Sequence, residues 1–245
     1  SAPIHWPAPK TFYAKKPQTL SPPQWEKPSF QKPLVVIGAL RSEQRPWVEN
    51  FLSDFHGPIV AETLSGLAFS ERLAGSLLAG DDAFVCHLIK SQQVDGLVRI
   101  GDVPVGKHWR VADALSFPTL SISDKNLPGS RASQLILSDL QKDSFPKEFF
   151  QSWDWQKINE EGASRKAHVN HVIGDHPKSE VGLLHQLCQH IEKEDILYLG
   201  NSLPIREWAW MDKNLPQVYA NRGANGIDGQ LSSAPVSYTH LTLPT

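Results

Sequence analysis

The sequence predicts an α/β protein built on a parallel sheet. Three observations carry this. Short β-branched apolar runs recur along the chain, as strands buried on both faces require. Segments with a helical apolar period alternate with them at the spacing of βαβ units. Glycine and proline punctuate the joins. Right-handed crossovers then place helices on both faces, giving a three-layer domain.

The elements follow in order. Leu34-Val-Val-Ile-Gly-Ala-Leu40 is the first strand. Arg45 to Phe55 has apolar residues at Trp47, Val48, Phe51, Leu52 and Phe55, a helical period stopped by His56-Gly57-Pro58. Ile59-Val60-Ala61 begins a second strand, and Ala83 to Ile89 reads as a helix. Gly96 to Gly101 is a strand, Trp109 to Ala114 a short helix, and Thr119 to Ser123 a strand between Pro118 and Asp124. Phe145 to Val172 is long, polar and rich in helix formers, so it is read as a helical connector. The pattern then restarts. Ser179 is an N-cap candidate for a helix carrying Val181, Leu184, Leu187, Cys188 and Ile191. Asp195 to Gly200 is a strand, a helix begins near Ser202, and Gln217 to Ala220 is another strand. Two strands and two helices rarely bury enough surface to stand alone.

These readings divide the chain. Residues 1–33 form a proline-rich connector, with eight of the 19 prolines and with aromatics that suit a strap lying on a surface. Residues 34–150 are a whole α/β domain, 151–177 a helical connector, and 178–236 the start of a second α/β domain. Ser237 to Thr245 has no helical period and its strand signal stops at Pro244, so it is read as a non-native tail outside the fold.

Composition narrows the function. The chain has 245 residues, 40% hydrophobic and 20% charged, which excludes wholesale disorder. No apolar run reaches the roughly 18 residues of a membrane span. A net charge of -2 gives no global field for nucleic acid. The two cysteines, Cys86 and Cys188, make no disulfide framework and fit a reducing, cytoplasmic setting.

No P-loop, GxSxG elbow, HExxH or GxGxxG dinucleotide fingerprint is present, which sets a nicotinamide oxidoreductase aside. Gly38-Ala-Leu-Arg-Ser-Glu reads as a solvated loop rather than a phosphate site at Ser42. HVNHVIGDH, with His168, His171, Asp175 and His176, reads as a polar helix end stopped by Gly174, since no cysteine or acidic pair completes a metal set. Lys107 follows the strand ending at Gly101. A cation at a strand's carboxyl end suits a carboxylate or phosphate, although a plain surface lysine fits the same pattern. Gly200-Asn201-Ser202 delivers a strand to a helix N-terminus, and Arg206 shares a helix face with Ser202. Arg222 follows the next strand within a glycine-rich loop. Two arginines at adjacent strand ends suit a dicarboxylate. Spacing alone leaves this reading and an ordinary strand–loop–helix with surface arginines equally open.

GNSLPIREW followed by VYANRGANGIDGQLS resembles the thiamine-diphosphate enzyme 2-succinyl-5-enolpyruvyl-6-hydroxy-3-cyclohexene-1-carboxylate synthase. The resemblance runs more weakly upstream, through Pro3-Ile4-His5-Trp6, Glu62-Thr-Leu-Ser-Gly66 and Gly106-Lys107. It implies the end of a first domain, a whole middle domain and the start of a diphosphate-binding domain. It implies a synthase of menaquinone and phylloquinone biosynthesis that decarboxylates 2-oxoglutarate and adds the resulting carbanion to isochorismate in a 1,4 sense. It implies thiamine diphosphate and Mg2+ as cofactors and at least a homodimer. Ser202 and Arg206 match positions that meet the substrate-derived carboxylate, with Asn201 in the same motif. Arg222 matches another arginine there, Ile227 an apolar residue against the cofactor, and Lys107 a lysine on the isochorismate side. The next position, often basic in the family, is His108. The activating acid belongs to the first domain, and the magnesium motif, GD followed much later by N, belongs after Gly229, where it has no match, so no catalytic residue is assigned and the chain by itself is expected to be inactive. The alternative is a stand-alone, non-catalytic α/β ligand-binding module.

Overall fold

The computed structural model describes residues 22–127, 129–131, 133–192, 194–201, 203–212 and 217–221. Its main sheet has five parallel strands: β1 (Pro33–Ile37), β2 (Ile59–Ala61), β3 (Gly96–Ile100), β4 (Thr119–Ser123) and β5 (Ser133–Leu137). Their order is β2-β1-β3-β4-β5. Register follows the alternation of side chains. Val35, Ile37, Val98, Ile100, Leu120 and Ile122 enter one core, while Leu34, Val36 and Leu97 enter the other.

Helix α1 (Arg45–Phe51) covers the first face through Trp47, Val48 and Phe51. Helices α2 (Asp82–Lys90) and α3 (Lys107–Ala114) cover the second through Phe84, Val85, Leu88, Trp109 and Ala112. β1 and β3 sit beside each other although the chain visits β2 between them. Their carboxyl ends are then drawn together by backbone. The Gly38 N–H donates to the Ile100 carbonyl at 2.9 Å and the Asp102 N–H to the Ala39 carbonyl at 3.1 Å. A Cβ on Gly38 would stand 2.0 Å from the Asp102 carbonyl oxygen, so only glycine allows this approach. The crevice usual at such a strand reversal is therefore closed by the chain itself.

Three features depart from the sequence reading. β5 was not expected. Two of the five residues in its SQLIL run are polar, and among the described residues no helix joins it to β4. The loop from β4 is instead pinned from below, where Trp109 donates to the Gly129 carbonyl at 2.9 Å and the Arg99 guanidinium donates to the Leu127 carbonyl. Arg99 is buried in β3, beneath the Trp109 ring and bonded to Ser121. Burial pushes its pKa down to about 10, against the raising influence of Asp102, so it stays charged at neutral pH. The connector helix is α4 (Gln156–Asp175), later than expected, because Phe145, Phe149 and Phe150 leave the helical pattern to fill the α1 core. Gly174 lies inside α4, not at its stop. His171 pairs with Asp175 one turn on at 3.4 Å, and His176 caps the end.

Residues 22–32 do form a strap. Trp25 is stacked on Trp47 at 6.3 Å between centroids and meets Phe149 edge-on at 5.3 Å. The Asp95 carboxylate accepts the N–H groups of Gln31 and Lys32, both at 2.8 Å. Trp6, Phe12 and Tyr13 of the same segment lie outside the described residues.

After α4 comes α5 (Glu180–His190), capped as expected by Ser179, whose hydroxyl accepts from the Gly182 N–H at 3.0 Å. β6 (Leu197–Leu199), α6 (Leu203–Glu207) and β7 (Val218–Ala220) follow, with β6 and β7 parallel. This small sheet does not stand alone. Cys188, Leu199, Ile205, Trp208 and Met211 share a core with Leu64, and Ala39 and Val105 of the main domain pack against it. Ser237 to Thr245 lies outside the described residues.

Phe51 is nearly buried and touches the rings of Trp25, Trp47, Phe145, Phe149 and Phe150. Phe51→Ala is expected to lower unfolding free energy by about 3–5 kcal/mol, measured by urea titration with tryptophan fluorescence. A loss below about 1 kcal/mol would show that this cluster does not anchor the strap and α1.

Candidate functional site

A cavity of about 850 Å³ opens beside the end of β2. Its walls are one face of α2 from Asp82 to Lys90, the start of α3, one face of α4, and α6 with the turn after it. Val60, Val85, Val111 and Val169 make an apolar side. Lys90, Lys107, Arg165, Lys166 and Arg206 bring five cationic side chains to the same space.

Two acids in this wall, Glu62 and Asp82, are already engaged. Glu62, the residue after β2, accepts the Val105 N–H at 2.7 Å and the Gly106 N–H at 3.0 Å. Asp82, the first residue of α2, accepts the Lys107 N–H at 2.7 Å and the His108 N–H at 3.1 Å, and lies 2.6 Å from His108 Nδ1. Burial would raise the Asp82 pKa, but the His108 side-chain bond, the backbone N–H groups and the His108 charge win and lower it to about 2. Gly106 is the N-cap of α3 and has no side chain to cap with. A Cβ there would stand 2.3 Å from the His108 ring and 2.6 Å from Asp82 Oδ1. Glycine at this position is what lets the carboxylate and imidazole occupy the helix start.

Around the rest of the cavity, Arg165 lies over the Phe84 ring at 5.0 Å and 3.4 Å from Glu161. Lys166 forms an ion pair with Asp212, which also accepts from Asn170 at 3.0 Å. Three atoms between β6 and α6 are buried without a hydrogen-bond partner among the described residues: the Tyr198 hydroxyl, Asn201 Oδ1 and Arg206 Nε. Glu207 Oε2 is a fourth, and burial together with Glu180 pushes that carboxyl above its ordinary pKa.

Of the residues singled out from sequence, Lys107 and Arg206 are brought to one cavity across 99 positions of chain (206 minus 107). Asn201 follows β6 and is not part of that lining. Ser202, Arg222 and Ile227 lie outside the described residues. His108 also lines the cavity, but it is buried beneath Gly106 with its Nδ1 held by Asp82. Sequence reasoning passed over Asp82, Arg165 and Lys166. An Asp81-Asp82 pair opening a helix was a legible capping signal, and Asp81 does cap α2 at the Phe84 N–H. That Asp82 caps a different helix was not legible. Among the described residues no three His, Cys, Asp or Glu side chains gather as a metal site.

Fold and cavity together define an α/β protein with a cation-lined, partly apolar cavity built where two parallel sheets meet. No protein-family model matches the chain. Among curated proteins it is similar to the 2-succinyl-5-enolpyruvyl-6-hydroxy-3-cyclohexene-1-carboxylate synthase of Bdellovibrio bacteriovorus, 30% identical over 212 residues, 82% of this chain and 39% of the relative. The synthase of the same name from Akkermansia muciniphila is 33% identical over 208 residues, 81% of this chain and 37% of the relative. That of Bacillus pumilus is 30% identical over 239 residues, 87% of this chain and 40% of the relative. The chain is thus a homologue of these synthases, as its motifs indicated, and spans about two fifths of their length.

Asp82 titrates at about 2 when folded, against an ordinary 3.8, so it contributes stability above the unfolded value and loses it as pH falls from about 3.8 toward 2. Asp82→Asn is expected to be less stable at neutral pH and to show a flatter decline across that acid window. Urea titrations of both forms from neutral pH to about pH 2 measure it; parallel declines would contradict the charge-assisted cap.

Proposed function

We propose that the complete protein carrying this chain decarboxylates 2-oxoglutarate and adds the succinyl carbanion equivalent to isochorismate, in menaquinone or phylloquinone biosynthesis. The observation that carries the reading is the convergence of Lys107 and Arg206, each matched to a substrate-facing family position, on one cavity with an apolar side. Arg206 meets the carboxylate derived from 2-oxoglutarate, and its Nε has no protein partner to compete for it among the described residues. Lys107 meets a carboxylate of the ring acid, whose hydrocarbon frame packs on the valine wall. By their match to the family motif alone, Ser202, Arg222 and Ile227 are assigned to the cofactor-facing side; Asn201 lies at the turn before α6.

Thiamine diphosphate and Mg2+ are proposed as the cofactors of the complete protein, where thiamine diphosphate supplies the carbanion chemistry. The described residues fit the organic acids but not the magnesium diphosphate, since they gather no metal donor set and no GD…N follows Gly229, where the family's motif belongs. The 245 residues alone are therefore proposed to be inactive. We place the protein in the cytoplasm as a homo-oligomer of at least two subunits; no helix among the described residues is long and apolar enough to cross a membrane.

In the complete protein, Arg206→Ala is expected to raise the KM for 2-oxoglutarate, with a loss of about 1.5–3 kcal/mol in apparent binding for one charge-assisted contact. Lys107→Ala is expected to raise the KM for isochorismate and leave that for 2-oxoglutarate in place. Steady-state kinetics with each substrate varied in turn check both. Unchanged constants in both variants would reject the site, and turnover by purified residues 1–245 would reject the division of labour in favour of a self-sufficient unit.

A further inference from the structure

The first turn of α3 carries a second layer of organisation that neither the motifs nor the relatives' names mention. A helix that begins with free N–H groups is a ready anion site. Here four consecutive N–H groups, from Val105 to His108, already bond to carboxylates. Neither acid is local. Glu62 comes from the end of β2 and Asp82 from the start of α2. Asp82 also fixes the imidazole of His108, which is buried and fills the space under Gly106. The backbone of Lys107 is thus held on both sides, while its side chain is exposed on the cavity wall with no ion-pair partner among the described residues.

We propose that Glu62 and Asp82 are positioning residues for Lys107: they occupy the anion site of the α3 N-terminus, so that an incoming carboxylate is met by the Lys107 ammonium and not by the helix end. This rests on the reading of Lys107 as the ring-acid contact. A vacant helix end would compete for the same carboxylate and draw it toward the backbone, out of register with the rest of the cavity. With both acids in place, that alternative pose places like charges together. The acids therefore act on selectivity as well as on geometry. Asp82 suits the task because it stays ionised down to strongly acid pH.

The test uses the complete protein with Lys107→Ala, Asp82→Asn, Glu62→Gln and each acid variant combined with Lys107→Ala. Asp82→Asn and Glu62→Gln are each expected to raise the KM for isochorismate roughly tenfold, with the KM for 2-oxoglutarate unchanged. In the Lys107→Ala background neither is expected to add a further effect, because the acids work through that lysine. Asp82→Ala is expected to regain part of the lost isochorismate affinity when formate is added, since formate can refill the carboxylate position. Full additivity with Lys107→Ala, or equal effects on both substrates, would overturn the proposal. An unaltered isochorismate KM in Lys107→Ala alone would instead reject the site reading beneath it. Should Asp82→Asn not fold, the Glu62→Gln cycle with Lys107 decides the matter by the same criteria.

Discussion

Four backbone N–H groups between Val105 and His108 are satisfied by two carboxylates carried from other elements, and this bonding fixes how β2, α2 and α3 sit relative to one another. Without partners these donors would be a desolvation penalty at a half-buried helix start. With Glu62 and Asp82 they become a joint. Gly106 is the residue that makes the joint fit, because any Cβ there would meet both the His108 ring and the Asp82 oxygen. The cavity is the space left between elements held this way.

The second constraint is the closure of the strand ends. In a parallel sheet of order β2-β1-β3-β4-β5, the reversal between β1 and β3 is the usual ligand crevice. Here Gly38 and Asp102 lace it shut, and Ala39, Leu64 and Val105 offer an apolar surface on which the small β6–β7 sheet docks. Docking moves the available space sideways, to the flank of β2. It also carries α6, and with it Arg206, to the wall that Lys107 occupies. A two-stranded sheet would bury too little by itself, and the shared core with the main domain supplies what it lacks.

Much of this was legible locally. The runs at Leu34–Ile37, Gly96–Ile100 and Thr119–Ser123 are buried on both faces and mostly apolar or β-branched, with Arg99, Ser121 and Ser123 as the buried exceptions, and periodicity detects them. Ser179 was legible as a cap because its partner N–H is only three residues away. β5 escaped because it opens on two polar residues, Ser133 and Gln134, and its crossover is a loop held by Trp109 and Arg99. The start of α4 escaped because Phe149 and Phe150 continue an apolar pattern that, in the fold, serves the α1 core.

The same divide runs through the candidate site. Lys107 and Arg206 could be picked out by type and by position after a strand, and the GNS and NRG motifs carried the family resemblance that the relatives bear out. Helix period, turn residues and motif spacing depend on neighbours within a few positions, and a sequence displays these directly. That Asp82 caps α3, that Glu62 holds the approach to Lys107, and that Arg206 shares a cavity with a lysine from another domain depend on where distant segments pack. Carboxylates and guanidinium groups have no periodicity of their own. Their partners are chosen by which backbone donors, rings and strand ends the folded chain places within about 3 Å of them, and only the tertiary structure makes that choice.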